Sequence, residues 1–133
     1  MEMEVVFPGG KKVDALYNGF TIKTDQSPFS GGEGSAPAPF DYFLASIGTC
    51  AGIYVLSFCQ QRAIPTDGIK IIQRMHRDQL NGGIGKIDLE IQVPPNFPQQ
   101  YKDAVIRSAE LCAVKKYIHK PPKFDIYTKV IGN

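Results

Sequence analysis

Three cysteines, Cys50, Cys59 and Cys112, are the residues of this chain with the clearest chemical potential. A cysteine thiolate is a nucleophile and a redox centre, whereas a buried thiol is also a common apolar filler of protein cores. The chain has no Cys-x-x-Cys pair, and an odd number of cysteines fits neither a disulfide framework nor a zinc site. The residues alone therefore leave two interpretations of each thiol open, packing and redox chemistry.

The two histidines do not complete a metal site or a Cys–His pair. His76 alternates with Arg74 and Asp78 in a predicted strand, which is typical of a surface position. His119 follows Cys112 by seven residues, too far for neighbouring side chains on one helical turn. We therefore expect no metal and no cofactor.

Cys50 and Cys59 lie in residues 37–62, a stretch that predicts one long helix from Phe40 to Arg62. Two prolines precede it, where a missing backbone N–H does no harm. Large apolar residues recur at helical spacing and define one face: Phe40, Phe43, Leu44, Ile47, Tyr54, Val55 and Phe58. At about 100° per residue, Cys50 borders this face and Cys59 points about half a turn away. The two thiols therefore cannot pair within one chain, and we assign Cys59 to packing.

The other elements are predicted from turn residues and from alternating apolar positions. Asn18–Gly19 between two alternating segments predicts a tight hairpin. We expect strands at 2–7, 12–17 and 20–24, the helix, strands at 69–77 and 85–93, a second helix from Pro98 with Cys112 on its apolar side, a helical turn near 114–118, and a last strand at 125–131. This βββ-α-ββ-α-β order predicts one α+β domain over residues 1–133, with mainly antiparallel sheets around a long buried central helix.

Charge and composition exclude several functional classes. A net charge of +2 without a basic patch interleaved with aromatics argues against a nucleic-acid partner. The basic run over residues 115–123 is interpreted as solvated surface. The N-terminus carries acids rather than the bases of a signal peptide, and Ser, Gly, Thr and Asp interrupt the long apolar stretch. We therefore predict a cytoplasmic protein with no membrane partner.

The central helix is too apolar to be covered by a chain of this size alone. A contiguous exposed apolar patch normally marks a partner surface. Small residues, Ala45, Gly48, Thr49 and Gly52, form a second strip on which another backbone can approach closely. We therefore predict a homodimer.

Two segments resemble signatures of the OsmC/Ohr family, the osmotically inducible protein C and organic hydroperoxide resistance proteins. Gly31-Gly-Glu-Gly-Ser-Ala-Pro-Ala-Pro39 and the following residues to Cys50 are similar to the family segment GG…(S/A)P-x-E-L-L-L-A-A-L-G-x-C. Residues 109–116 are similar to the second signature, Cys-Pro-x-Ser-Lys, with Ala113 in place of Pro and Lys115 in place of Ser. The order of elements also matches, so the resemblance covers essentially the whole chain.

The resemblance implies an intertwined homodimer whose two central helices pack together, with two active sites at the interface. It also implies a thiol-based peroxidase that reduces organic hydroperoxides in oxidative-stress defence. Carried over to this chain, Cys50 is the peroxidatic thiol and Cys112 the resolving thiol. A cellular dithiol is the implied reductant, and no cofactor is implied.

The chain departs from the hydroperoxide reductases at two points. Phe40 stands where those enzymes have Glu, and Asp41 follows it, as in the less characterised OsmC-like branch. Those enzymes also hold the thiolate with an Arg from the N-terminal strands, and no Arg precedes Arg62 here. Lys11 is the nearest substitute but lacks the planar fork of a guanidinium. The alternative is therefore a non-peroxidatic OsmC-like dimer that binds a small apolar molecule.

A thiol in the middle of an apolar helix needs help to ionise, because burial raises the pKa of a thiol. Cys50 lies too far from the helix N-terminus for the dipole to act on it. We therefore expect a cation beside it, either Lys11 or Lys115. Asp41 lies in the first turn and is expected to cap the positive end of the helix, with a supporting role at the thiol as the alternative.

Overall fold

The first three strands form an antiparallel sheet in the first of two compact units, Met1–Ser46. The computed structural model describes residues 1–132, and its first strands are β1 (Glu4–Gly9), β2 (Lys12–Tyr17) and β3 (Phe20–Thr24). The predicted hairpin between β2 and β3 is confirmed, with Tyr17 paired to Phe20. Asn18 and Gly19 both have positive φ, 49° and 80°, as the tightest hairpin turns require.

A buried carboxylate organises the loop that follows β3. Asp25 accepts hydrogen bonds from the backbone N–H of Gln26 at 2.7 Å and from the backbone N–H and hydroxyl of Ser35 at 3.1 and 2.6 Å. The Ser35 bonds, with that of Gln26, lower the pKa of Asp25 to about 2. The ionised carboxylate therefore stabilises the folded protein fully above its unfolded pKa near 3.8. This stabilisation is lost as the pH falls through the folded pKa of about 2. At neutral pH the loop is held closed ahead of the next helix.

The long helix α1 spans Pro39–Gln61, within one residue of the predicted bounds. Asp41 accepts a hydrogen bond from the backbone N–H of Ala38 at 3.0 Å, so it caps the helix start. One face is buried, through Ile47, Ala51, Val55, Phe58 and Cys59. The elements around the buried face leave the opposite side of the helix, including Ile53, exposed, as expected for a single chain of this size.

By length and composition alone, α1 is also apolar enough to cross a membrane, the one such helix within residues 1–132. The core helix of a soluble protein meets the same criterion. One face of α1 is packed into a core with other elements, through Val55, Phe58 and Cys59.

The second unit, from Ile47 onward, contains a β-hairpin against which α1 packs. Its strands are β4 (Lys70–Arg77) and β5 (Ile84–Gln92), paired antiparallel. Two glycines of α1 face β4. A Cβ on Gly48 would lie 2.5 Å from the oxygen at the flexible end of the Gln73 side chain, so Gln73 would have to move aside. A Cβ on Gly52 would make ordinary contact with Ile71, at 3.9 Å.

The chain after the hairpin forms two short helices, and the helical turn predicted near 114–118 is confirmed as the second of them. A turn of 3-10 helix at Gln99–Tyr101 leads into α2 (Lys102–Ala109), and α3 covers Ala113–His119. The prediction that Cys112 lies on the apolar side of the second helix is wrong. A tightened last turn, in which the Leu111 N–H bonds to the Ser108 carbonyl at 3.1 Å, ends α2 before Cys112. Cys112 is extended, with φ −49° and ψ 125°, and directly precedes α3.

The predicted last strand at 125–131 is also wrong. Residues 121–132 form no helix or strand, and their large apolar side chains are exposed: Phe124, Ile126, Tyr127, Val130 and Ile131. A strand exists only when a neighbouring edge satisfies its backbone groups, and none of the described strands pairs with this segment. The observed order is βββ-α-ββ-α-α. The α+β class with antiparallel sheets is confirmed, while the single domain stays a prediction.

The core of the second unit is built on the C-terminal half of α1. Its buried members are Val55, Phe58, Cys59, Ile64, Phe97 and Val105. Cys59 is fully buried, and burial raises its pKa, in line with the packing role expected for it. The Phe58 ring meets Tyr101 edge-on at 5.8 Å and carries the Arg62 guanidinium 3.7 Å from its centre. Phe58 therefore joins α1 to the segment that starts α2.

Replacing Phe58 by Ala should lower the free energy of unfolding by about 3–5 kcal/mol, the usual result of emptying an aromatic site in a core. Leu80→Ala is the matched control in the same unit, because Leu80 is 94% exposed and its loss should change stability by less than about 0.5 kcal/mol. Urea unfolding followed by circular dichroism measures both. Equal losses in the two variants would contradict this core.

Candidate functional site

Cys50 lies in the middle of α1, at the edge of the buried face. It directly precedes buried Ala51 and lies one turn after buried Ile47, and its own side chain is half-buried. This is the position that helical spacing predicted. The thiol is therefore neither enclosed in the core nor fully open to water.

Cys112 reaches the same place from the break between α2 and α3. Its side chain is only 2% exposed, and its sulfur lies 4.0 Å from the Ile47 carbonyl oxygen. The Cys112 thiol donates to that carbonyl, and its side chain lies near enough to Cys50 to lower the pKa of the Cys50 thiol. Both cysteines are free, so the structure shows the reduced pair. Because α2 ends before Cys112, where the sequence predicted it to continue, Cys112 lies in the connection between the two helices and faces α1.

The backbone at the start of α3 controls the ionisation of Cys50. The Val114 N–H is the main group that lowers the pKa of Cys50, followed by the Cys112 thiol and, after opposing burial, the Ala113 N–H. Each donor stabilises a negative sulfur, which shifts the equilibrium toward the thiolate. Cys50 is therefore the member of the pair that ionises first.

Cys112 has the opposite tendency. Burial is the largest cause that raises its pKa, and the adjacent Cys50 raises it further. The backbone N–H groups of Lys115 and Val114 oppose this only in part. The pair is thus polarised, with a thiolate-forming sulfur at Cys50 and a proton-bearing sulfur at Cys112.

The groups expected to assist Cys50 occupy different positions. Lys115 contributes its backbone N–H to Cys112, whereas the causes that lower the Cys50 pKa are backbone dipoles and a thiol. Lys11 lies in the first unit, exposed beside Gly31, and Asp41 caps α1. A supporting role for Lys11 or Asp41 at the thiol stays a prediction. The sequence analysis expected a cation and missed the backbone dipoles, because it placed Cys112 inside the preceding helix and not at the start of α3.

An apolar cavity of about 580 Å³ opens beside Cys112, within the second unit. Aliphatic side chains from α1, the hairpin, α2 and α3 form most of its walls: Ile47, Ala51, Ile71, Ile87, Leu89, Ile91, Ile106, Ala109 and Ile118. Three charged residues, Glu90, Glu110 and Lys115, also line it. Arg74 pairs with Glu90 at 3.2 Å. The alternation of Ile87, Leu89 and Ile91 predicted an apolar face of the strand. It did not predict that this face borders a cavity.

His76 contacts an acidic side chain on the hairpin and not the thiol pair. His76 is exposed on β4 and its Nε2 lies 2.7 Å from an Asp88 oxygen, as in a surface ion pair. Within residues 1–132, no three His, Cys, Asp or Glu side chains are grouped to hold a metal ion.

Comparison with known proteins gives one family. The sequence model described as OsmC-like protein matches residues 32–127, a range that includes both Cys50 and Cys112. No curated protein sequence matches the chain.

Solved structures share the fold at low identity. A Psychrobacter arcticus 273-4 protein, described as osmotic stress induced and part of a detoxification response, is 18% identical with a TM-score of 0.71, covering 88% of this chain and 87% of its own. A Vibrio cholerae OsmC-like protein of unknown function is 13% identical with a TM-score of 0.61, covering 87% and 92%. An organic hydroperoxide resistance protein from Legionella pneumophila is 16% identical with a TM-score of 0.51, covering 89% of each chain. At these identities the likeness establishes the fold.

The pH dependence of alkylation tests the polarised pair. Because its pKa is lowered, Cys50 should react with iodoacetamide at pH values where an ordinary thiol is still protonated. Cys112→Ala removes the thiol donor and should move the Cys50 profile to higher pH, while Cys112→Ser keeps a donor and should move it less. Mass spectrometry of the Cys50 peptide gives the rates, and an ordinary thiol profile in the wild type would contradict the assignment.

Proposed function

Because the chain belongs to the OsmC-like protein family, we propose that it reduces organic hydroperoxides, with Cys50 as the peroxidatic thiol and Cys112 as the resolving thiol. The observation that carries this proposal is the position of the Cys112 thiol, bonded to the Ile47 carbonyl one turn before Cys50, where it helps to lower the pKa of Cys50. The thiolate is the form that attacks a peroxide, and a second thiol in contact with it can capture the oxidised product.

The reaction balances within this pair. The Cys50 thiolate attacks the terminal oxygen of the hydroperoxide, the O–O bond breaks, and the leaving alkoxide takes up a proton to give an alcohol. Cys50 is then a sulfenic acid. The Cys112 sulfur attacks it, an S–S bond forms and water leaves. A cellular dithiol restores both thiols by two exchange steps and is itself oxidised to a disulfide.

The family context supports the same chemistry. OsmC and Ohr proteins are linked to osmotic stress and hydroperoxide resistance. The Legionella relative is described as an organic hydroperoxide resistance protein and the Psychrobacter relative as part of a detoxification response. We extend the proposal to an antioxidant role in oxidative-stress defence in the cytoplasm, where a dithiol reductant is maintained.

The second part of the proposal is a homodimer formed through the exposed side of α1. This side carries Tyr42, Ala45, Thr49 and Ile53 at helical spacing, and all four are exposed in the single chain. Tyr42 and Ile53 supply apolar surface, while Ala45 and Thr49 are small enough for another helix to approach. A second copy is the proposed occupant because the strip is self-complementary when two such helices pack about a two-fold axis.

An apolar-ligand binding protein is the second candidate function. The cavity beside Cys112 supports it, since about 580 Å³ falls within the range of small-molecule pockets and most of its walls are aliphatic. The absence of an Arg before Arg62 points the same way. An apolar molecule retained through purification, in a protein that consumes hydroperoxide no faster than a free thiol, would favour this function over the first.

Cumene hydroperoxide should oxidise the wild type rapidly and produce one Cys50–Cys112 disulfide, seen by peptide mapping without reduction. Cys50→Ser should abolish turnover, because no peroxidatic thiolate remains. Cys112→Ser should consume one equivalent of peroxide and stop at a sulfenic acid that dimedone traps. Cys59→Ala is the matched control and should keep full turnover, since Cys59 is buried in the core. Peroxide consumption by the wild type at the rate of a free thiol would refute the peroxidase.

Sedimentation velocity tests the homodimer. The wild type should sediment as a dimer, and Ile53→Glu should shift it toward the monomer, because a carboxylate would have to be desolvated in the interface. Leu80→Glu places the same charge on an exposed loop residue and should leave the dimer intact. A monomeric wild type, or equal dissociation of both variants, would overturn the proposed interface.

A further inference from the structure

Two Asn–Gly pairs, Asn18–Gly19 and Asn81–Gly82, occur in hairpin turns of this chain. Asparagine is thermolabile because the next backbone nitrogen can attack its side-chain amide. A following glycine favours this attack, since it has no side chain in the way and gives the backbone more freedom. The sequence therefore makes the two sites equivalent, and any difference in their reactivity must come from the fold.

Asn18 and Gly19 are exposed at the turn between β2 and β3. Among the hydrogen bonds of the described residues, none engages the Asn18 side chain or the Gly19 N–H. A Cβ placed on Gly19 would meet nothing within 4 Å, so the surroundings of the attacking nitrogen are open. The Tyr17–Phe20 pairing closes the turn, but no hydrogen bond of the described residues holds the attacking nitrogen or the leaving amine.

The turn between β4 and β5 holds Asn81 and Gly82 by both reacting groups. Asp78 accepts hydrogen bonds from the Asn81 side-chain amide at 3.2 Å and from its backbone N–H at 3.3 Å. The nitrogen that would attack, the Gly82 N–H, donates to the Asp78 carbonyl at 2.9 Å. To react, this pair must give up the bond on its nucleophile and reorient an amide held by a carboxylate.

We propose that Asn18 is a site of spontaneous deamidation and isoaspartate formation, and that Asp78 protects Asn81 from the same reaction. At Asn18 the Gly19 nitrogen bonds to the side-chain carbonyl carbon, the C–N bond to the amide nitrogen breaks, and ammonia leaves. Water then opens the cyclic imide at one of its two carbonyls. The products are aspartate, or isoaspartate with the chain continuing through the side-chain carbon.

The two products differ in their effect on the hairpin. Asp–Gly suits the same turn as Asn–Gly, so the aspartate product changes mainly the charge, lowering the net value of +2 by one. The isoaspartate product inserts a methylene into the backbone of a two-residue turn. It therefore disturbs the pairing of Tyr17 with Phe20, which depends on the length of that turn.

Ageing of the folded protein at pH 8.5 followed by peptide mapping tests this proposal. Trypsin releases the two sites on separate peptides, Val13–Lys23 and Asp78–Lys86. In the folded wild type we expect Asn18 to convert about tenfold faster than Asn81, the factor given by a hydrogen bond to a charged acceptor. In urea the two rates should become equal, which shows that the fold makes the difference.

Asp78→Ala supplies the matched variant. It removes the carboxylate from Asn81 and should raise the conversion of Asn81 toward that of Asn18, leaving the Val13–Lys23 peptide unchanged. If this variant unfolds, the comparison of native and urea-unfolded wild type decides alone. Equal rates in the folded wild type, or faster loss of Asn81, would overturn the proposal.

Discussion

The first turn of α3 lies against two sulfur atoms, and the character of the thiol pair depends on this contact. Backbone N–H groups there lower the pKa of Cys50, while burial raises that of Cys112. Peptide dipoles act here because they are fixed by the helix and need no reorganisation when the sulfur becomes negative. Backbone N–H groups therefore favour the Cys50 thiolate in a chain that has no Arg before Arg62.

The arrangement of α1 follows from a simpler constraint. Its buried face packs against a hairpin and α2, with Gly48 and Gly52 facing β4. No other element of the described chain covers the opposite side of α1, where Ile53 is exposed. A helix of this kind keeps one thiol at the margin of its buried face and another, Cys59, inside the core.

Local patterns predicted much of this fold. The Asn18–Gly19 turn, the bounds of α1 and the alternating strands were all readable because each depends on neighbours in sequence. The C-terminal end of α2 could not be predicted in this way. The helix stops in a tightened last turn, and no glycine or proline marks that position in the sequence. The last strand failed for another reason: the pattern at 125–131 is strand-like, but a strand also needs an edge to pair with, which sequence alone does not supply. The cavity beside Cys112 was not predicted, because it depends on how α1, the hairpin, α2 and α3 pack in three dimensions.

The complete burial of Cys59 has a use outside the chemistry of the pair. A thiol with no exposed surface can be labelled only when the core around Val55 and Phe97 opens. The labelling rate of Cys59 in native buffer therefore measures how often this core opens. From that rate the free energy of core opening can be calculated. Because Cys59 is separate from the thiol pair proposed for redox chemistry, its labelling rate reports the stability of the core alone.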